Sequence, residues 1–224
     1  MSNMTNIQGE VTNFIEQDVS IRRGLSRGLL NSRALAKYIS QNLKLNCTID
    51  AVISAIRRYE SKAEPKEYIK ERYKLIASAK VSSRTKMISV LLKKNVDVRK
   101  SITNLYNKVD FSKGEVIRIL EVNQYIKLIV DEANFKDVQE LFSKSDVVSI
   151  EKGLGEISVI YGAEVANTPG VFAAVSGEYA LSNISLVDAV ICGNEHIFIV
   201  NEDDLMKALE AMHRIRKWGE KVKG

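Results

Sequence analysis

The residues with the clearest chemical potential form a short loop, Asn167-Thr168-Pro169-Gly170. The pattern around it predicts a helix over 168–181 with Pro169 at its first position, where a missing N–H costs nothing. The start of a helix presents unpaired amides and the positive end of the dipole, which favour a carboxylate. Gly170 lets a ligand approach the backbone, and Asn167 offers both a donor and an acceptor. The same residues also make an efficient helix start with no ligand. Catalytic groups are sparse. His196 and His213 are the only histidines, and neither has a spacing that builds a metal site with Cys47 or Cys192. Gly153-Leu154-Gly155 lacks a third glycine and leads into a strand, so it fails as a dinucleotide fingerprint. Without a P-loop, a nucleophile elbow or a paired-acid constellation, the expectation is no catalytic residue, no metal, no cofactor and no enzyme.

The elements that would hold this loop follow from periodicity. Up to about residue 80 the pattern is helical: Leu35, Ala36, Ile39 and Leu43 share one face, with Asn31 or Ser32 as the cap. Thr48 can cap a following helix whose Ile49, Val52, Ile53 and Ile56 point inward, leaving Asp50, Ala51, Ser54 and Ala55 outward. Pro65 opens a connecting helix. From Met87 the pattern becomes strand (87–92), helix (Val98, Ile102, Leu105), strands at 115–122 and 125–131, helix (Phe135, Val138, Leu141), and strand (146–150). The same order then repeats: strand at 157–161, the helix at 168–181, a hairpin of 185–192 and 196–200 around Gly193-Asn194, and a closing helix marked by Leu205, Ala208, Leu209 and Met212. The predicted fold is α+β: a helical head, then two ferredoxin-like βαββα(β) units of about 70 residues. Its boundaries are a helical domain at 1–64, a connecting helix and linker at 65–83, and units at 84–152 and 153–224. The second unit shows no final strand, because residues 214–224 are basic and polar.

Length and composition agree with a soluble globular chain: 224 residues, 45% apolar and 27% charged. Two cysteines exclude a disulfide scaffold, and no apolar run approaches a membrane span. The first ten residues lack a signal-peptide core, so a cytoplasmic location is expected, with no membrane partner. Residues 1–82 carry 14 basic against 8 acidic side chains, and 83–152 carry 13 against 10. Residues 153–224 reverse the balance with 6 against 10. A basic front and an acidic back suggest modules with different partners, and nucleic acid is the natural candidate for the front.

Residues 156–213 (EISVIYGAEVANTPGVFAAVSGEYALSNISLVDAVICGNEHIFIVNEDDLMKALEAMH) resemble the C-terminal ACT domain of aspartokinases. The likeness includes the Thr168-Pro169-Gly170-Val171 entry to the helix, Asn183-Ile184-Ser185 before a strand, and the closing Met212-His213. The first unit looks like the preceding ACT domain, but its helix entry at Asn95-Val96-Asp97-Val98 lacks Pro-Gly. No kinase domain is included. The head, GLSRGLLNSRALAKYISQNLKLNCTIDAVISAIRRYE, resembles the helix-turn-helix heads of archaeal proteins that also carry ACT domains.

The resemblance implies an effector, an amino acid or similar small molecule, bound at an interface between ACT domains of a homodimer or higher homo-oligomer. Asn167, Thr168, Pro169, Gly170 and Val171 would hold it, with Asp188 able to contact its amino group. A helix-turn-helix head implies DNA contact through Ser54, Arg57 and Arg58 on the second helix of the motif and through Arg33 and Lys37 on the preceding one. Asp50 repels phosphate, and the early turns offer no Arg, Asn or Gln for bidentate base reading. Arg22 and Arg23 before Gly24 suggest a phosphate-binding turn or a solvated one. The expected function is an amino-acid-sensing transcriptional regulator. The rival is a regulatory or interaction protein that modulates an amino-acid biosynthetic enzyme without touching DNA.

Overall fold

The computed structural model describes residues 7–60 and 66–222, so the predicted helix start at Pro65 lies outside the described residues. The chain divides into two compact units, Met1–Lys70 and Glu71–Gly224.

The first unit contains four helices: α1 (Ile7–Gln17), α2 (Val19–Ser26), α3 (Ser32–Leu43) and α4 (Ile49–Glu60). Polar side chains set their starts. Asp18 accepts from the Ser20 and Ile21 amides, Asn31 from those of Arg33 and Ala34, and Thr48 Oγ1 from that of Ala51 at 3.3 Å. Lys44, left-handed at φ 50°, ends α3. Val11, Ile15, Leu35, Ile39, Val52 and Ile56 meet in one core, and Ala55 joins them at 3% exposure. Ala55 therefore faces inward, against the sequence expectation. It lies in the core with Val11 and Ile15 of α1, and its carbonyl accepts from Gln8 of that helix at 3.2 Å. Arg22 and Arg23 lie inside α2 and do not form a turn at Gly24, because the helix, capped by Asp18, continues through that glycine to Ser26.

The second unit begins within α5 (Lys66–Ser78) and continues through β1 (Lys80–Lys93), α6 (Val96–Tyr106), β2 (Ile117–Glu121), β3 (Tyr125–Asp131), α7 (Phe135–Leu141) and β4 (Val147–Ile160). It closes with α8 (Val171–Leu181), β5 (Asp188–Cys192), β6 (Glu195–Asn201) and α9 (Leu205–Val222). The six strands form one antiparallel sheet in the order β2-β3-β1-β4-β6-β5. The two strands expected at 146–150 and 157–161 are one continuous strand, since β1 pairs with β4 along its whole length. Likewise α9 runs on to Val222, because Ile215 on its core face extends the buried stripe beyond Met212.

This pairing supplies the strand that the second repeat lacks. Residues 80–84 of β1 lie beside 156–160 of β4 and complete the second four-stranded half, β5-β6-β4-β1. The remainder of β1 opens the first half, β2-β3-β1-β4, which the early part of β4 completes. Each long strand thus serves both halves. Where they cross over, two bulges flank the Met87–Leu154 pair, and Lys86 (φ 54°) and Gly153 (φ 65°) adopt left-handed backbone there.

The bulges let the sheet fold on itself. Neighbouring strands lie about 4.8 Å apart, so β3 and β5, four places apart in the sheet order, could not touch in a flat sheet. Yet Lys127 of β3 and Asp188 of β5 form an ion pair at 2.7 Å. Between the two facing halves Met87, Ile129, Leu154, Ile197 and Ile199 make a core of their own. The outer faces carry the helices. Ile88, Val90, Leu92, Leu128 and Val130 pack under α6 and α7, where Val98, Leu105 and Val138 meet them. Ile157, Val159, Phe198 and Val200 pack with Leu75 and Ile76 of α5, Val171 and Val175 of α8, and Ala208 and Met212 of α9. Residues 75–83, part of the connecting helix and linker in the sequence reading, therefore contribute core side chains and part of a strand. No helix among the described residues is long and apolar enough to cross a membrane.

Candidate functional site

The approach to α8 differs from the sequence expectation. A 3-10 turn, Ala163–Asn167, precedes it, and the helix starts at Val171, after Gly170 rather than at Pro169. Gly170 adopts φ +80°, a left-handed conformation that side chains resist, which turns the chain into the helix axis. Thr168 is buried; its hydroxyl donates to the Glu164 carbonyl at 2.9 Å and fixes the turn. Val171 is buried in the core, whereas Asn167 and Pro169 are exposed.

The N-cap of α8 is Gly170, which has no side chain to offer its first amides. The equivalent helix of the first repeat is closed instead: Asn95 Oδ1 accepts from the Val98 amide at 2.8 Å, and its amide nitrogen donates to Asp146 at 2.8 Å. A residue that no motif singles out stands at the start of α8. Arg72 of α5 donates from Nε to the Pro169 carbonyl at 2.8 Å, and its guanidinium lies over Gly170, where an added Cβ would be 2.7 Å from Cζ. The loop thus combines free helical amides, a guanidinium and an exposed Asn167. That set can hold a carboxylate with a neighbouring polar group.

Asp188 lies elsewhere. It begins β5 on the inner face of the folded sheet, accepts from Lys127 Nζ, and has its Oδ1 on its neighbour's amide, Ala189 N, at 2.8 Å. Ala189 points the other way, toward the core beneath α8. The structure brings residues 167–171 together with Arg72 but leaves Asp188 on the opposite side of β5.

The inner face carries a second ion pair that spacing does not reveal. Glu156 is 1% exposed, and Arg118 grips both its oxygens, at 2.9 and 3.3 Å, while Arg84 Nε stands 3.8 Å away. The Glu156 hydrogen bond, set against the cost of burial, holds the Arg118 pKa above its ordinary value. Arg118 opposes Ile129 in its hairpin as Asp188 opposes Ile199, so equivalent positions of the two repeats each reach across to the other half.

Beneath α8, His196 sits against Tyr161 and Phe172, with ring centroids 4.7 and 6.0 Å away. It is 4% exposed and its Nδ1 has no hydrogen-bond partner among the described residues, nor do the buried hydroxyls of Tyr161 and Tyr179. Burial lowers the His196 pKa and raises those of both tyrosines, so all three are neutral near pH 7. No group of three or more metal-ligating side chains occurs among the described residues.

In the first unit, Arg33 and Lys37 are exposed along α3, and Arg57 and Arg58 are exposed in the last turn of α4. Ser54 is exposed but turned onto its own helix, its hydroxyl donating to the Asp50 carbonyl at 2.9 Å. Leu29 is 62% exposed in the bend between α2 and α3, and Tyr38 is 51% exposed on α3.

No family model matches the sequence, and no curated protein matches it either. Solved structures with a similar fold do exist. Aspartate kinase from Clostridium acetobutylicum matches with a TM-score of 0.50 at 14% identity, over 61% of this chain and 34% of that one. Aspartokinase alpha and beta subunits match with a TM-score of 0.52 at 12% identity, over 66% of this chain and 99% of that one. The ligand-free regulatory subunit of aspartate kinase from Thermus thermophilus gives 0.49 at 13% identity, over 60% and 95%. The match thus spans about a third, 34%, of the length of the Clostridium enzyme. At these identities the likeness is one of fold: this chain shares the α+β architecture of aspartokinase subunits.

Proposed function

We propose that this protein is an amino-acid-responsive regulator whose second unit is a pair of ACT-like halves that bind the effector and whose head contacts DNA. The observation that carries the effector reading is the open start of α8, uncapped and flanked by the Arg72 guanidinium, against the Asn95-capped start of α6. An effector carboxylate would take the α8 amides, with Asn167, Thr168, Pro169, Gly170 and Val171 forming the loop and Asn167 contacting the effector's polar group. Asp188 would reach an effector only by giving up Lys127. The fold shared with aspartokinase alpha and beta subunits agrees with this assignment.

DNA contact would come from the helix-turn-helix-like arrangement of α3 and α4, with Arg33 and Lys37 on phosphates and Ser54, Arg57 and Arg58 on the second helix. The exposed Leu29 and Tyr38 favour the second reading, a head that docks on a protein such as a biosynthetic enzyme. Duplex binding followed by fluorescence anisotropy separates them. Phosphate contacts make affinity fall steeply between 50 and 200 mM salt, roughly 10-fold or more per few contacts. Replacing Arg57 and Arg58 together by Glu should then weaken binding at least tenfold. Binding that ignores both salt and the double replacement would reject the DNA reading and leave the protein-docking one.

A further inference from the structure

We infer that Arg72 is a positioning residue that couples the 167–171 loop to α5, the helix in which the second unit begins; this rests on the effector reading above. The contact is specific to this position. Arg72 Nε donates to the Pro169 carbonyl at 2.8 Å, and the guanidinium lies over Gly170, where an added Cβ would be 2.7 Å from Cζ and would have to displace it. The left-handed Gly170 thus serves two needs, the turn into α8 and room for the arginine.

The part of α5 that follows Arg72 is held on both sides. Leu75, Ile76 and Ala79 belong to the same core as Val171 and Val175 of α8. On the other side, Tyr73 packs edge-on against Trp218 of α9 with ring centroids 4.1 Å apart. Gly219 lets α9 approach the Tyr73 backbone, and Arg216 Nη2 donates to the Ala77 carbonyl at 3.4 Å. The helix is therefore clamped between the α8 loop and α9. Its buried part behaves as one body with the core, and Arg72 is its sole hydrogen bond to the loop among the described residues. A ligand that reorders Pro169 and Gly170 changes the seat of that guanidinium, and packed elements pass such shifts on as discrete rearrangements.

Hydrogen exchange of the full chain, read by mass spectrometry, tests this. The arms are wild type, Arg72→Lys and Arg72→Ala, each alone and with each of the twenty amino acids at 10 mM. Without ligand, Arg72→Ala should speed exchange in 66–74 and in 168–174 together, roughly two- to tenfold, the factor set by one hydrogen bond of ordinary net worth. Arg72→Lys, which keeps the charge but loses the Nε geometry, should behave like Arg72→Ala. Unchanged exchange in either segment overturns the coupling. With the amino acids, a compound that protects 168–174 should protect 66–74 in wild type and not in Arg72→Ala. Protection of 66–74 that survives the substitution also overturns it. A ligand-free effect with no response to any amino acid would retain the mechanical link and reject the effector reading.

Discussion

Single side chains settle several features of this molecule that composition only hints at. Glu156 is a carboxylate with almost no access to water, and its charge is tolerated because Arg118 meets it bidentately from a strand of the other half. Removing one partner of such a pair leaves the other unpaired. Glu156→Gln should destabilise the second unit by about 3 kcal/mol, at the low end of the usual range because Arg118 keeps some contact with water. Urea denaturation measures this, and a double-mutant cycle with Arg118→Met should show strong coupling. His196 gives a pH prediction. Its pKa is lowered by burial, so the folded protein resists the proton that the unfolded chain accepts near its ordinary value of about 6.5. The stability tied to neutral His196 is complete above that pH and is lost as pH falls through the folded value. His196→Gln should flatten this portion of the melting-temperature profile between pH 7 and 5; superimposable profiles would show that the histidine does not titrate as described.

At the scale of elements, the periodicities were sufficient where one face of an element is buried. Leu35, Ala36 and Ile39, or Ile126, Leu128 and Val130, announced their helix and strand because burial imposes their spacing. The failures have a common origin in contacts between distant residues. Ser82 and Ser83 carry no strand signal, yet they pair with β4 because the second half needs a closing strand. Gly153, in the gap expected between strands at 146–150 and 157–161, lies at a bulge within one continuous strand. Of the candidate site, the 167–171 loop was legible from Pro169 and Gly170, whereas Arg72 was not, being one cation of many on a helix 97 residues away. The shared strands lead to a truncation test. A chain beginning at Glu71 keeps 80–84 and should melt cooperatively; one beginning at Met87 loses the closing strand of the second half together with Leu75 and Ile76. It should show exposed apolar surface by dye binding and no sharp transition, and a cooperative melt would contradict the assigned topology.

For the whole molecule, two repeats share one folded sheet and are pinned by Arg118–Glu156 and Lys127–Asp188, while a basic helical head occupies a separate unit. The repeats match in strand order but differ where chemistry would occur, because Asn95 closes one helix start and Gly170 leaves the other open. We propose that the open start of α8 receives an amino-acid carboxylate. This is tested most directly by thermal melting of the purified chain against the twenty amino acids, one at a time, with Gly170→Ala as the comparison. A ligand that binds only the native state at 100 times its dissociation constant adds about 2.7 kcal/mol, a shift of several degrees for a unit of this size. One or two amino acids should raise the melting temperature by that amount in wild type and fail to do so in Gly170→Ala, whose Cβ would displace Arg72. No shift with any of the twenty, or the same shift in both proteins, would contradict the account.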